Sequence, residues 1–252
     1  MENRQQNRKR TGLLVALALC CILAVGGGVM AWFSTTTSKD NTFVQGGGIT
    51  EPTEKPTPDP NPDGSGDGDQ NKPIKPTEGN IIETEWVDKS GITPGSIVSK
   101  NPNIGIGKNS KNAYVFVEVE NNVDNANTYF VLGDKWAPVT GEITPFGFDK
   151  DVTIPSSKHG RCYTEGLFVY VGDSGKADES GMAMLVAKED ISVYTGEVFD
   201  KVYANNKFQG VAGEKTITVK AYLAGASSIT EDMGSQEIKD EIVAKAIAWK
   251  NS

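Results

Sequence analysis

The segment Ala113-Tyr114-Val115-Phe116-Val117-Glu118-Val119-Glu120 decides the fold of this chain. β-Branched and aromatic side chains dominate it, and towards its end polar residues alternate with apolar ones, which is the two-residue period of a strand. Residues 166–171 (GLFVYV) and 215–222 (KTITVKAY) have the same character. The sequence therefore predicts a domain built on β-strands.

The spacing of the strands predicts the fold class. Shorter strands are predicted at Glu83–Val87, Thr128–Leu132, Met182–Val186 and Glu197–Tyr203. Clusters of Gly, Pro, Asn and Asp separate the strands, and helical patterns are rare, which favours an all-β fold over a layered α/β sheet. We predict an antiparallel jelly-roll-like β-sandwich over residues 78–252.

A short C-terminal helix is the one helical element predicted in this domain. Apolar side chains recur every three or four residues at Ile238, Ile242, Ala246 and Trp249, with Lys and Glu between them. This is the pattern of an amphipathic helix. We expect its apolar stripe to dock on the rim of the sandwich, with Trp249 as a packing anchor.

The N-terminus has the features of an export signal. The basic run Arg8-Lys9-Arg10 precedes an apolar segment, 13–25, and the three glycines 26–28. This order predicts a signal helix over 1–31, with cleavage between Ala31 and Trp32. The uncharged segment is also long enough to span a bilayer, so an uncleaved anchor is the alternative.

Residues 45–77 differ in composition from everything around them. They are rich in Pro, Gly and Asp and nearly devoid of large apolar side chains. Such a segment cannot bury enough surface to offset the entropy of ordering it, so the sequence predicts a disordered, partly stiff linker. It separates an exported N-terminal segment, 32–44, from the domain at 78–252.

Charge and cysteine content exclude several classes of function. The chain has 25 basic and 33 acidic residues. Residues 1–31 contain four of the basic residues and one of the acidic ones, so residues 32–252 have a net charge of 21 minus 32, or −11. Such an acidic chain is not expected to bind nucleic acid. Cys162 is the single cysteine after residue 31, which leaves no internal disulfide to predict and favours a buried, unreactive thiol.

The sequence does not predict an enzyme. A zinc peptidase needs about three nitrogen or oxygen ligands and a general base, and His159 is the only histidine of the chain. His159 lies in a Gly- and Ser-rich segment three residues before Cys162, and proximity in a loop does not orient an imidazole towards a thiol. We therefore predict no catalytic residue, no metal ligand and no cofactor.

The N-terminal motif resembles that of one protein family. The glycines 26–28, Ala31 and the following residues 32–43 (WFSTTTSKDNTF) are similar to the signal and mature N-terminus of the TasA and camelysin relatives. These are biofilm-matrix or spore-coat-associated proteins of Gram-positive bacteria, exported through a SipW-type signal peptidase. Weaker similarities lie at 92–115 and at 217–224 with Ala248-Trp249, although the linker is longer here and about two dozen residues precede the Ala-Trp pair.

The resemblance implies a secreted structural protein at the cell surface. In that family, subunits assemble into extracellular fibres by donor-strand exchange after the signal is removed. It implies that Trp32, Phe33, Phe43 and Val44 supply the apolar contacts of the donor strand, and that Lys39 is a candidate for a covalent link to an Asn or Asp of the neighbour.

The implied partners are other copies of the chain, the SipW-type signal peptidase, and biofilm-matrix or cell-wall components. The membrane is contacted only through the signal helix before cleavage. Two alternatives stay open. One is a membrane-tethered surface binding module that carries the sandwich on an acidic stalk, and the other is a camelysin-like metallopeptidase.

Overall fold

The computed structural model describes residues 32–45, 79–83, 90–107, 112–148, 154–189, 191–210, 212–213, 215–226 and 235–252. The predicted signal helix at 1–31 and nearly all of the predicted linker at 45–77 lie outside these residues. No helix in the described part of the chain is long and apolar enough to cross a bilayer.

Antiparallel β-sheet makes up most of the described chain. The strands are β1 (Trp32–Gln45), β2 (Gly79–Ile82), β3 (Ser90–Ile92), β4 (Ile97–Ser99), β5 (Asn103–Ile106), β6 (Ala113–Asn121), β7 (Thr128–Val131), β8 (Trp136–Pro145), β9 (Cys162–Tyr170), β10 (Met184–Leu185), β11 (Val193–Glu197), β12 (Lys201–Ala204) and β13 (Lys215–Ala226). One α-helix, α1 (Gln236–Lys250), follows them, and short 3-10 helices lie at Ser156–Arg161 and Glu179–Gly181. The predicted β-rich fold with a C-terminal helix is thus confirmed.

The strands form two sheets. The larger sheet has ten strands in the order β3-β1-β13-β6-β9-β7-β12-β4, with β10 attached to β6 and β8 attached to β9. The smaller sheet has the order β11-β5-β2. The β1–β3 pair is parallel, whereas the other described pairs are antiparallel.

The central strands of the larger sheet are buried on both faces. In β6, Val115 and Val117 belong to a core that also contains Ile104 of the smaller sheet. Tyr114 and Phe116 point to the opposite face and belong to a second core. Two-sided burial explains why β6 begins as a nearly continuous apolar run rather than a strict alternation.

Helix α1 supplies the cover for the second face. Its residues Ile238, Ile242 and Ala246 are buried in the second core, and the ring of Trp249 stacks on Tyr222 with centroids 5.4 Å apart. The helix therefore packs on the face of the central strands, and the expectation that it docks on the rim is wrong. The reason is that this face carries large apolar side chains such as Phe116, which need a cover from water.

Two of the shorter predicted strands differ from the structure. The segment predicted at Glu197–Tyr203 is the end of β11, a turn, and β12, because Val198 and Phe199 are both buried and break the two-residue alternation. The segment predicted at Met182–Val186 contributes only the two-residue strand β10. Of the segment predicted at Glu83–Val87, only Glu83 lies within the described residues, directly after β2.

Replacing the N-cap residue of α1 should cost the domain about 1 kcal/mol of unfolding free energy. The Ser235 hydroxyl oxygen accepts a hydrogen bond from the backbone N–H of Ile238 at 3.4 Å. Ser235→Ala removes this acceptor, whereas the control Ser235→Asp keeps an acceptor and places a negative charge at the helix N-terminus. Urea unfolding of both variants measures the difference, and equal stabilities would contradict the prediction.

Candidate assembly site

Strand β1 contains the candidate donor residues and lies against β13. Twelve residue pairs join the two strands in antiparallel register, from Trp32 opposite Ala226 to Phe43 opposite Lys215. On its other side β13 pairs with β6. Without β1, the twelve-residue strand β13 would be an edge of the sheet, with a row of unpaired backbone N–H and C=O groups.

Most of β1 has a single strand partner. Its parallel pairing with β3 is confined to Phe43, Val44 and Gln45, opposite residues 90–92. Within the described residues, the segment 32–42 pairs with β13 alone. Hydrogen bonding of β1 to the domain therefore depends mainly on one long strand, which is the arrangement expected of an exchangeable element.

The structure places the predicted site residues as follows. Trp32 and Phe33 lie opposite Ala226 and Gly225, at the far end of β13 from Phe43. Val44 lies opposite Gly91 of β3. Lys39 lies opposite Val219, near the middle of the β1–β13 pair. Ala31, on the other side of the predicted cleavage point, lies outside the described residues.

Strand β13 is fixed to the domain independently of β1. Val219, Ala221 and Leu223 belong to the core that contains residues of both sheets, and Tyr222 and Ala224 to the core that contains residues of α1. Removal of a neighbouring strand would leave this two-sided burial in place. Strand β13 therefore packs into the domain on both faces, and local sequence does not identify its pairing with β1 because the two strands lie near opposite ends of the chain.

A charged group beside the second core fixes the register of β13 on β6. Lys220 lies directly opposite Glu118, with its Nζ 3.4 Å from the Glu118 carboxylate, and it also donates a hydrogen bond to Glu120. Burial raises the pKa of the Glu118 carboxyl, an effect that the Lys220 charge opposes. The hydrogen bond to Glu120 raises the pKa of Lys220. A one-residue slip would leave the buried Glu118 carboxylate without its cation.

The two carboxylates of this group also line a small cavity. This cavity, of about 240 Å³, is bordered by Glu118, Glu120, Glu142, Glu165 and Lys250. Lys250, at the end of α1, lies 2.8 Å from the Glu142 carboxylate and ties the helix to β8. The ion pairs of Lys220 join β13 to β6, and the ion pair of Lys250 joins α1 to β8. These charges therefore have a structural role.

His159 and Cys162 do not form a nucleophile pair in the described structure. The His159 ring stacks on Phe148 with centroids 3.8 Å apart, and its Nε2 lies 3.4 Å from the Ile154 carbonyl oxygen. The buried Cys162 thiol donates to the Lys158 carbonyl oxygen at 3.2 Å, and burial raises the pKa of Cys162 to about 11, so the thiol stays protonated at neutral pH. In the described ranges, no three His, Cys, Asp or Glu side chains are grouped to hold a metal ion.

Comparison of the chain with known proteins finds no matching family model, no matching curated protein and no matching solved structure.

Proposed function

We propose that the protein is a secreted structural subunit that polymerises into extracellular fibres by donor-strand exchange. The observation that carries the proposal is the position of β1, a 14-residue strand that pairs mainly with β13. In the polymer, β1 of one copy lies beside β13 of the next copy in the same register. The exchange replaces an intramolecular strand pair with an equivalent intermolecular one.

The segment between β1 and β2 has the length that exchange requires. It comprises residues 46–78, which are rich in Pro, Gly and Asp. A chain of this length reaches about 100 Å if it is extended as polyproline II and about 30 Å on average if it is flexible. The same tether therefore permits β1 to dock on its own domain or on a neighbouring one.

Concentration decides between these two states. A tethered β1 is presented to its own β13 at an effective concentration of roughly millimolar, which favours the closed monomer in dilute solution. Crowding of subunits at the cell surface favours exchange. Residues 32–252 carry a net charge of −11, which makes copies repel each other, so salt or divalent cations should promote assembly.

Cleavage of the signal by a SipW-type peptidase is the proposed switch. As long as Ala31 and Trp32 remain joined, β1 is anchored to the membrane through the signal helix and cannot reach a neighbour freely. The proposal includes a jelly-roll-like sandwich arrangement of the two sheets. It also includes contacts of the fibre with biofilm-matrix or cell-wall components. Finally, it includes a covalent link from Lys39 of one subunit to an Asn or Asp of the next. The assignment is structural, without an enzymatic activity.

Comparison of two chains tests the proposal. One begins at Trp32 and the other at Gln45, so that only the first contains β1. We expect fibres in electron micrographs of the first chain and a folded monomer from the second, because the second has an acceptor but no donor. Fibres from the chain that begins at Gln45 would refute the proposal. The intact mass of the natural secreted protein provides a second readout, since a retained signal would favour the membrane-tethered binding module.

A further inference from the structure

A cleft of about 510 Å³ lies at the opposite side of the larger sheet from β1. Its walls come from the connection between β7 and β8, the start of the first 3-10 helix, and the segment from Gly196 to Tyr203. The volume is within the range of small-molecule sites. The cleft is separate from the β1–β13 pair, so the proposed polymerisation does not use it.

The walls of the cleft are held in place by hydrogen bonds. The backbone N–H of Gly133 donates to the Val198 carbonyl oxygen at 2.7 Å, and the indole N–H of Trp136 donates to the Gly196 carbonyl oxygen at 3.3 Å. The Arg161 guanidinium donates to the carbonyl oxygens of Leu132, Gly133 and Trp136. The cleft is therefore preformed rather than created by loop movement.

Tyr203 provides a fixed aromatic ring on the wall. It stacks on Tyr129 with centroids 5.1 Å apart and planes 12° apart, and Tyr129 stacks in turn on Phe146 at 4.2 Å. Tyr129 and Phe146 are buried, whereas Tyr203 is half-buried and lines the cleft. Among the described residues, no second aromatic ring contacts Tyr203, so one of its faces is free of aromatic contacts.

The remaining lining combines apolar side chains with charged groups of both signs. Asp134, Asp200 and Glu197 contribute carboxylates, and Lys135 and Lys158 contribute amines. The ion pairs of these groups are long and exposed: Lys158 to Asp134 is 3.5 Å, and Asp200 lies 3.4 Å from Lys201, which is outside the lining. Exposed pairs of this kind are weak, so the groups can exchange partners for the hydroxyls of a ligand.

We propose that this cleft binds a neutral oligosaccharide. The C–H bonds on one face of a pyranose ring carry partial positive charge, which is attracted to the electron-rich face of a tyrosine ring. The surrounding carboxylates accept hydrogen bonds from sugar hydroxyls, and the lysine amines donate to sugar oxygens. Three carboxylates against two lysine amines disfavour a phosphate or another anion, and these charged groups disfavour a purely apolar ligand. The ligand class thus goes beyond the proposed fibre and gives the subunit a way to hold polysaccharide.

Calorimetric titration of the chain that begins at Trp32 tests the inference, with cellopentaose and chitopentaose as neutral probes and inorganic phosphate as the anionic probe. We expect saturable binding of at least one pentasaccharide in the millimolar range or tighter, and no binding of phosphate. Tyr203→Ala should weaken binding about tenfold, whereas Tyr203→Phe keeps the ring and should bind like the parent.

A second variant covers the case in which Tyr203→Ala fails to fold. Asp200→Ala removes a half-exposed carboxylate of the cleft and should weaken binding severalfold, whereas Asp240→Ala, which removes an exposed carboxylate on α1, should not. Binding of phosphate alone, absence of binding to both pentasaccharides, or binding by Tyr203→Ala and Asp200→Ala equal to that of the parent would each overturn the inference. None of these outcomes depends on whether the chain forms fibres.

Discussion

Replacing Thr36 and Thr37 with proline should abolish fibre formation and leave the domain folded. Both residues lie in the middle of β1, opposite Tyr222 and Ala221 of β13. Successive residues of a strand direct their N–H groups to opposite sides, so one of the two prolines removes a donor to β13 whichever way the strand faces. The lost hydrogen bond and the fixed backbone angle should cost about 3 kcal/mol in each β1–β13 pair, which lowers its equilibrium constant roughly a hundredfold. Because the closed monomer and the junction between subunits lose the same pair, the chain with an undocked β1 becomes the main species.

The matched control is Thr36→Val with Thr37→Val, which keeps two β-branched residues and both N–H groups. Sedimentation and electron microscopy at equal concentration compare the variants, and circular dichroism checks that the domain is folded. A synthetic peptide of residues 32–45 should bind the chain that begins at Gln45, and the same peptide with the two prolines should not. Fibres of normal yield from the proline variant would mean that β1 is not the junction between subunits.

The local sequence pattern is sufficient to predict the strands and the helix that bury regular stripes of apolar side chains. Strands β6, β9 and β13 were predicted because their β-branched and aromatic residues are consecutive in sequence, and α1 was predicted from the spacing of Ile238, Ile242 and Ala246. The boundary between β11 and β12 was missed because Val198 and Phe199 are buried one after the other. Alternation in the sequence does not reveal such a turn.

The partner of β1 could not be predicted from local sequence. Trp32 pairs with Ala226 near the other end of the chain, and no short-range signal specifies a contact of such sequence separation. The donor segment was identified through its resemblance to a family motif, whereas its place beside β13 depends on the whole sheet. The position of Lys220 directly opposite Glu118 likewise cannot be predicted until the register of β6 and β13 is known.

Replacing Lys100 with methionine should destabilise the domain by about 3–5 kcal/mol. The Lys100 ammonium lies 2.7 Å from the Glu83 carboxylate, and both side chains are completely buried. Glu83 directly follows β2, where the chain enters the domain after residues 46–78, and the backbone N–H of Lys100 donates to the Asp200 carbonyl oxygen at 3.1 Å. Lys100→Met removes the cation that faces the Glu83 carboxylate and leaves this carboxylate in a region that excludes water. Urea unfolding measures the loss of unfolding free energy.

Removing both charges separates the cost of an unpaired charge from the value of the ion pair. Glu83→Leu with Lys100→Met removes both charges of this pair, so we expect the double variant to recover most of the stability that the single variant loses. Lys201→Met is the matched control, because its ion pair with Asp200 is about half-exposed and should contribute less than about 1 kcal/mol. If Lys100→Met cost no more than Lys201→Met, the pair would not anchor β2 to the domain.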